Sequence, residues 1–214
     1  MYKLLVFDLD GTLLDTIDDI ADAVHFALAK FSLPPRTREE VCSFVGNGIV
    51  NLIKRAADME EVDEIVHVFR TYYSEHCAVK TKPYAGVVEA LRIFRERGYK
   101  LAVLSNKPDK MTQVLVKELF PDVFDEIMGE NEAMGRKRKP DPSALLALMQ
   151  KFGVSGQETA YVGDSEVDIQ TAKNAGVDCI SMTWGLRDEA DLCKAGATML
   201  AHNATELTEL CLKE

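Results

Sequence analysis

The sequence predicts an α/β protein with a Rossmann-like, mainly parallel sheet flanked by helices and an inserted all-helical cap domain. Short apolar segments alternate with amphipathic helical patterns over much of the 214 residues. This order is typical of parallel sheets with helices on both faces. Between residues 15 and 82 the alternation stops and every pattern is helical. We therefore expect an α/β core formed by residues 1–14 and 83–214, and a cap formed by residues 15–82.

Six segments have the short, apolar pattern of strands. They are YKLLVF (2–7), KLAVLS (100–105), DEIMG (125–129), TAYVG (159–163), DCISMTW (178–184) and ATMLA (197–201). A helical pattern, VVEALRIFRERG, precedes the second strand, and Gly98 is placed to end it. In folds of this kind, ligands bind at the carboxyl ends of the strands. Polar residues at those ends are therefore the candidates for a functional site.

The cap segment begins with a helical pattern whose expected N-cap is Thr16. Pro34 and Pro35 end that helix, and residues 37–40 (TREE) have the pattern of a capping box for the next. A third helix is expected over roughly residues 62–79. Because this insert follows the first strand directly, it is expected to lie over the strand ends, where a lid belongs.

Composition and charge exclude several classes of protein. Hydrophobic residues make up 47% and charged residues 28% of the chain, as in ordinary globular proteins, and no apolar run reaches the length of a membrane span. A net charge of −10 argues against nucleic acid as a partner. The five scattered cysteines form no C-x-x-C pair and predict reduced thiols. We therefore expect a cytoplasmic protein that binds neither membrane nor nucleic acid.

The first strand leads into VFDLDGTLLDT (residues 6–16), which carries two carboxylates separated by one residue. Side chains alternate along a strand, so Asp8 and Asp10 start on the same side. Two anions this close repel each other unless a cation or a shared proton relieves them. A surface turn built on the same residues is the alternative.

Three other segments carry polar groups near strand ends. These groups are Ser105, Asn106 and Lys107 after the second strand, Lys139 in the basic run before Pro140, and Asp164 and Asp168 after a later strand. Taken singly, each has an ordinary structural explanation. Residues 105–107 could cap a helix, the basic run could be a solvated loop, and Asp164 and Asp168 could be a helix cap and a residue of its first turn. Together they are expected to converge, because the ends of parallel strands share one rim of the sheet.

Phosphoryl transfer is the chemistry that needs this set. The carboxylates of Asp8 and Asp164 suit Mg²⁺, which prefers hard oxygen ligands. Ser105 and the backbone N–H groups after it can bind phosphate oxygens. Lys139 supplies a positive charge to the nucleophile and the transferred group. One carboxylate can then attack phosphorus while another handles protons.

The segments DLDGT, SN, KP and GDSEVD resemble, in order and character, the four motifs of the haloacid dehalogenase-like hydrolase superfamily. The helical insert between the first and second motifs is similar to the helical cap of that family. The resemblance spans essentially the whole chain. In the cap, Gly46, Asn47 and Gly48 resemble the glycine-containing substrate loop of phosphoglycolate phosphatase-like members, although a plain helix break accounts for the same residues.

The resemblance implies a role for each matched residue. Asp8 is the implied nucleophile and a metal ligand, and Asp10 is the implied general acid/base and a ligand through its backbone carbonyl. Asp164 is the second metal carboxylate, Asp168 supports the metal waters, and Lys139 is the motif lysine. The implied phosphate-binding residues are Ser105, Asn106 and Thr12. The implied cofactor is Mg²⁺, and the implied intermediate is an aspartyl-phosphate.

The implied activity is hydrolysis of a small phosphorylated metabolite, with 2-phosphoglycolate as the expected substrate. Asp10 argues against dehalogenases and phosphonate-cleaving members. A sugar phosphomutase similar to β-phosphoglucomutase, or a pyrophosphatase of the same family, is the alternative. A phospho-acceptor regulatory domain is a remote one, since it needs neither Asp10 nor a cap. The 46–48 loop, Lys54, Arg55 and the basic run at 136–139 are expected to meet a second anionic group of the substrate.

Overall fold

A six-stranded parallel sheet forms the core of the protein, whose computed structural model describes residues 1–212. The strands are β1 (Leu4–Phe7), β2 (Leu14–Asp15), β3 (Lys82–Pro83), β4 (Lys100–Pro108), β5 (Glu126–Glu130), β6 (Thr159–Gly163), β7 (Asp178–Met182) and β8 (Met199–Ala201). The sheet has the order β5-β4-β1-β6-β7-β8, and all its paired strands run parallel. All six predicted strands are thus confirmed, and β1 lies near the centre.

Ten α-helices accompany the strands within the described residues. They are α1 (Ile17–Lys30), α2 (Arg38–Phe44), α3 (Gly48–Ala57), α4 (Asp63–His76), α5 (Val87–Glu96), α6 (Asp109–Leu119), α7 (Ser143–Phe152), α8 (Glu166–Ala175), α9 (Glu189–Lys194) and α10 (Ala204–Leu212). Short 3₁₀ turns lie at Glu132–Met134 and Gly156–Glu158. None of these helices has the length and apolar character that crossing a membrane requires.

Helices cover both faces of the sheet because the side chains of each strand alternate. Leu4 and Val6 are fully buried on one face, in a cluster with apolar residues of α7 and α8. Leu5 and Phe7 point to the other face, in a cluster that includes α5 and α10. The predicted end of α5 is confirmed, since Gly98 adopts the left-handed conformation (φ +82°) just beyond it.

Helices α1 to α4 occupy the segment predicted as the cap. The sequence patterns predicted three helices in this segment, and the structure has four. The capping box is confirmed, because the Thr37 hydroxyl accepts from the N–H of Glu40 over 3.1 Å and the Glu40 carboxylate accepts from the N–H of Thr37. Thr16 stands at the predicted N-cap position of α1, but its side chain forms no capping hydrogen bond. Its backbone (φ −108°, ψ −4°) lacks the extended conformation of a side-chain cap, and its buried hydroxyl has no partner among the described residues.

A small antiparallel sheet lies where the chain leaves the core and where it returns. Here β2 pairs with β3, a contact that the helical interpretation of this segment did not anticipate. Next to it the buried carboxylate of Asp19, on α1, accepts hydrogen bonds from the N–H groups of Lys80 and Thr81 and from the Thr81 hydroxyl. The division into domains at residues 15 and 82 stays a prediction, and these contacts lie at both of its boundaries.

Candidate active site

The carboxyl ends of three neighbouring strands, β4, β1 and β6, supply most of the polar side chains at one rim of the sheet. Together with cap residues, they line a cavity. Among the predicted site residues, the cavity lining includes Asp8, Asp10, Gly46, Gly48, Ser105, Asn106 and Asp164. Thr12, Lys139 and Asp168 lie behind this lining and bind its members.

Lys139 lies between two buried carboxylates. Its ammonium is 2.9 Å from Oδ1 of Asp8 and 2.7 Å from Oδ1 of Asp168, and it also donates to the hydroxyl of Tyr161. Burial by itself would lower the pKa of Lys139, but the carboxylates of Asp168 and Asp8 raise it well above its ordinary value. The lysine is therefore a fixed positive charge beside Asp8.

Asp8 and Asp164 form a buried pair of carboxyl groups at the ends of β1 and β6. Burial raises the pKa of both groups above the ordinary carboxyl range, and each is raised further by neighbouring carboxylates. Lys139 acts in the opposite direction on Asp8. Ionising both groups in this dry environment is costly unless a cation binds between them.

Asp8, Asp164 and Asp168 each place one carboxylate oxygen within 4.8 Å of the others. Both oxygens of Asp168 already accept hydrogen bonds, one from Lys139 and the other from Ser165 and the N–H of Asp164. Asp8 and Asp164 line the cavity and Asp168 does not, so Asp8 and Asp164 are the better placed metal ligands, and this all-oxygen, buried set fits Mg²⁺. The role of Asp168 in supporting metal waters stays a prediction, and its observed contacts position Lys139.

The carboxylate of Asp164 is held by contacts from two loops. Oδ1 accepts from the Thr12 hydroxyl over 2.8 Å, and Oδ2 accepts from the N–H of Leu186 over 2.7 Å. Two glycines make room for it, because a Cβ atom at Gly11 or Gly185 would lie 2.2 Å or 2.4 Å from Oδ2 of Asp164. Gly185 was not predicted, since the sequence alone does not show that the loop after β7 touches this carboxylate.

Asp10 is bound by a lysine to which the sequence analysis gave no role. The ammonium of Lys107 donates to Oδ1 of Asp10 over 2.8 Å and to the hydroxyl of Tyr73 over 2.6 Å. Tyr73 belongs to α4, so this lysine joins the carboxylate of the core to the cap. Lys107 lies two residues after Ser105, and this position could have indicated a site residue from the sequence. Tyr73, in contrast, has the pattern of an ordinary core aromatic residue.

Asn106 links the cap loop to Lys139. Its amide nitrogen donates to the carbonyl oxygens of Gly46 and Lys139, and its amide oxygen accepts from the N–H of Lys139. The predicted contact of Asn106 with phosphate stays a prediction, but these bonds use both N–H groups of its side chain. The 46–48 loop is the break between α2 and α3 and also reaches the cavity, while Asn47 is outside the lining.

Arg187 forms a second bridge between core and cap. Its guanidinium donates to the carbonyl oxygens of Val45 over 2.8 Å and of Cys42 over 3.2 Å, and it forms an ion pair with Glu166. Both carbonyl groups lie at the end of α2, where backbone donors run out, and that of Cys42 also accepts from the N–H of Val45. No sequence pattern indicated a role for Arg187, because the contact joins segments about 140 positions apart.

The basic residues that were expected to meet a second substrate anion lie outside the cavity lining. Lys54 pairs with Glu60, and the other observed pairs are Arg136 with Asp109, Lys137 with Asp141 and Arg138 with Glu130. Contact of Lys54, Arg55 and the run at 136–138 with a substrate anion stays a prediction. Within the described residues, the cationic side chains that line the cavity are Lys107 and Arg187.

Comparisons with known proteins agree with this geometry. A family model described as haloacid dehalogenase-like hydrolase matches residues 5–182. The phosphoglycolate phosphatase of Pseudomonas putida is 37% identical over 193 residues, covering 86% of this chain and 70% of that protein. That of Haemophilus influenzae is 36% identical over 196 residues, covering 86% and 87%.

A crystal structure from Lactobacillus delbrueckii subsp. bulgaricus, described as a candidate phosphoglycolate phosphatase, is similar over its whole length. It has a TM-score of 0.93 and 37% identity, covering 100% of this chain and 99% of that chain. The motifs, the fold and the relatives lead to the same assignment. The chain belongs to the haloacid dehalogenase-like hydrolase family, in its phosphoglycolate phosphatase-like branch.

Proposed function

We propose that the protein is a Mg²⁺-dependent phosphatase that hydrolyses 2-phosphoglycolate through an aspartyl-phosphate on Asp8. The observation that carries the proposal is the position of Asp8, a buried carboxylate at the end of β1 whose Oδ1 lies 2.9 Å from Lys139, beside Asp164. Relatives named phosphoglycolate phosphatase support the choice of substrate. The free state of all five cysteines supports a cytoplasmic location.

The first half of the reaction transfers the phosphoryl group to the protein. A carboxylate oxygen of Asp8 attacks phosphorus, and the bond from phosphorus to the ester oxygen breaks. Asp10 donates a proton to that oxygen, so the product leaves as an alcohol. Lys139 stabilises the negative charge on Asp8 and on the transferred group. Bound Mg²⁺ would neutralise the charge that Asp8, Asp164 and the phosphate bring together.

The second half releases phosphate. Asp10 has lost its proton in the first half and now accepts one from a water molecule, which attacks phosphorus of the aspartyl-phosphate. The bond between phosphorus and the Asp8 oxygen breaks, and inorganic phosphate leaves. Asp10 is protonated again and Asp8 is ionised, so the cycle is closed. Ser105, in the cavity lining, is placed to donate its hydroxyl to a phosphate oxygen.

The cap limits the substrate to small molecules. Apolar cap side chains form much of the cavity wall, namely Ile20, Val45, Ile49, Leu52 and Phe69. Such a wall keeps water from the reacting groups, and the space between it and the strand ends suits a small metabolite rather than a protein or a nucleic acid. This apolar cap wall also shields the aspartyl-phosphate from water until the alcohol has left.

The test is a phosphatase screen over many metabolite phosphates with Mg²⁺, using the Asp8→Asn variant as the blank. We expect 2-phosphoglycolate to have the highest kcat/KM, and no phosphate release by the variant. Hexose phosphates with a bisphosphate primer are tested in parallel for isomerisation. Efficient isomerisation without net phosphate release would replace the proposed phosphatase by a mutase, and hydrolysis of hexose phosphates alone would keep the mechanism and discard the substrate.

A further inference from the structure

Lys107 is a buried cation at the cavity that the proposed reaction does not use. It stands at the end of β4, and its side chain is 3% exposed. Lysine is rarely buried to this extent unless it is paired. Its partners come from both parts of the protein, Asp10 from the core and Tyr73 from the cap.

The ammonium of Lys107 has one more donor than it has partners. An ammonium carries three N–H groups. Two of them donate to Oδ1 of Asp10 and to the hydroxyl of Tyr73, and within residues 1–212 no acceptor is found for the third. The same ammonium lies 4.7 Å from the centre of the Tyr73 ring. A charged donor at the cavity lining is therefore left for a ligand.

Arg187, the other cation of the cavity lining, is less suited to this task. Its guanidinium already donates to the carbonyl oxygens of Val45, Cys42 and Leu186, and it is paired with the carboxylate of Glu166. These bonds fasten the end of α2 to the core. A ligand anion would have to compete with them, whereas it would meet an available N–H at Lys107.

The contact between Lys107 and Asp10 fixes where a ligand anion would lie. In the proposed reaction Asp10 donates its proton to the ester oxygen of the substrate, so that oxygen lies within hydrogen-bond distance of Asp10. The Lys107 ammonium is 2.8 Å from Oδ1 of the same carboxylate. A substrate group one carbon removed from the ester oxygen is thus brought next to Lys107.

The apolar cap wall of the cavity offers little to an anion. Ile20, Ile49, Leu52 and Phe69 face it with hydrocarbon, and a carboxylate left against such a surface loses its hydration without gaining a partner. The carboxylates of Asp8 and Asp164 would repel it. An anionic group on the leaving alcohol is therefore favoured at Lys107 and disfavoured along the apolar wall.

We propose that Lys107 is the specificity residue that binds the substrate's second anionic group, a carboxylate one carbon from the phosphate ester oxygen. This inference rests on the proposed function and identifies the chemical class of substrate. Phosphate esters of 2-hydroxy acids match the position, whereas neutral sugar phosphates leave the ammonium without its third partner.

The experiment compares two substrates that differ in the carboxylate alone, 2-phosphoglycolate and the neutral 2-hydroxyethyl phosphate. In the wild-type protein, kcat/KM is expected to favour the first. In Lys107→Met the ratio of the two kcat/KM values should fall by about 10- to 100-fold, the size of a lost charge-assisted hydrogen bond. Loss of the contact between Lys107 and Asp10 should lower turnover of both substrates alike. The ratio of the two kcat/KM values therefore reports only the contribution of the substrate carboxylate.

Arg187→Met is the matched control, since it removes the other cation of the cavity and should leave the ratio unchanged. A ratio that is unchanged in Lys107→Met, or that falls in Arg187→Met instead, would overturn the inference. Lys107→Gln serves if the Met variant does not fold, because its amide keeps a donor but not the charge. For this variant an intermediate ratio is expected.

Binding to the inactive protein separates this inference from the proposed function. Calorimetry with Asp8→Asn and Asp8→Asn/Lys107→Met gives dissociation constants for both phosphates without turnover. Tighter binding of 2-phosphoglycolate that depends on Lys107 supports the inference even if the wild-type protein releases no phosphate. Equal affinity of the two phosphates for Asp8→Asn, with 2-phosphoglycolate hydrolysed by the wild type, would discard the inference and keep the phosphatase.

Discussion

The ammonium of Lys139 donates to Oδ1 of Asp168 over 2.7 Å, and both side chains are buried. The same ammonium lies 2.9 Å from Oδ1 of Asp8, so a single lysine joins the candidate nucleophile to the first turn of α8. The second oxygen of Asp168 accepts from Ser165 and from the N–H of Asp164. Asp168 therefore sets the position of two other candidate site residues without facing the cavity itself.

Asp168→Asn is expected to lower kcat by about 10- to 100-fold and the free energy of unfolding by roughly 1–3 kcal/mol. The amide keeps the shape of the side chain but removes the charge that holds Lys139. Phosphatase assays and denaturant titrations measure the two effects. Asp191→Asn, which removes the charge of an exposed residue paired with Lys194, is the control. Wild-type activity in Asp168→Asn would show that Lys139 does not need this partner.

Asp8→Asn should reduce turnover by roughly 10⁴-fold or more, as removal of a covalent nucleophile does. The fold should survive. Because burial raises the pKa of Asp8, the neutral amide is expected to preserve or slightly increase the Tm of the metal-free protein at neutral pH. Mass spectrometry after exposure to labelled substrate should locate phosphate on Asp8 of the wild type. Turnover by the variant at the wild-type rate would refute covalent catalysis at this residue.

Asp10→Asn should lose activity in a way that depends on the leaving group. Alkyl phosphates such as 2-phosphoglycolate need a proton on the departing oxygen, and their kcat is expected to fall by about 10²- to 10⁴-fold. An activated aryl phosphate needs none, so its turnover should fall much less. Rates measured over a series of leaving groups test this. Equal losses across the series would contradict the role of Asp10 as the acid.

The stability of the metal-free protein should fall as the pH rises. Burial raises the pKa of Asp8 to about 7 and that of Asp164 to about 8, so between pH 4 and these values the folded state binds more protons than the unfolded state. Stability then decreases with pH across this range. Tm measured with a chelator should be lower at about pH 8.5 than at about pH 5.5 by on the order of 5 °C.

Mg²⁺ should reverse this trend, because it binds the ionised carboxylates and stabilises the folded state by linkage. Its effect on Tm should be large at the higher pH and small at the lower. Ca²⁺, which is larger and less strict in geometry, should bind and inhibit turnover. Full activity after exhaustive chelation, or a Tm that does not respond to Mg²⁺ at high pH, would argue against this metal site.

Gly185→Ala is expected to weaken Mg²⁺ binding by about 10- to 100-fold, as disturbance of a ligand's supporting contacts does. The new Cβ would lie 2.4 Å from Oδ2 of Asp164 and force that carboxylate to move. Mg²⁺ titration of activity measures the change. Gly98→Ala is the control, since its positive φ should lower stability while the surrounding space is open and the metal site distant. Unaltered Mg²⁺ dependence in Gly185→Ala would mean that Asp164 is not a ligand.

The sheet and the acidic rim of the site could be predicted from the sequence alone. Short apolar segments marked all six core strands, and the ends of parallel strands necessarily meet at one rim. Asp8, Ser105 and Asp164 could therefore be brought together from their places at strand ends. Local rules also identified the capping box at Thr37, because its two partners are only three residues apart.

How the cap meets the core could be seen only once the chain was folded. Two contacts join segments that are far apart in sequence, namely those of Tyr73 with Lys107 and of Val45 with Arg187. The periodicity of a sequence carries no information about which residues face each other across two packed units. The folded structure also shows which cations face the cavity. A basic residue in a sequence does not reveal its ion-pair partner, so Lys54 looked available although Glu60 holds it, whereas Lys107 reaches the cavity because β4 ends there.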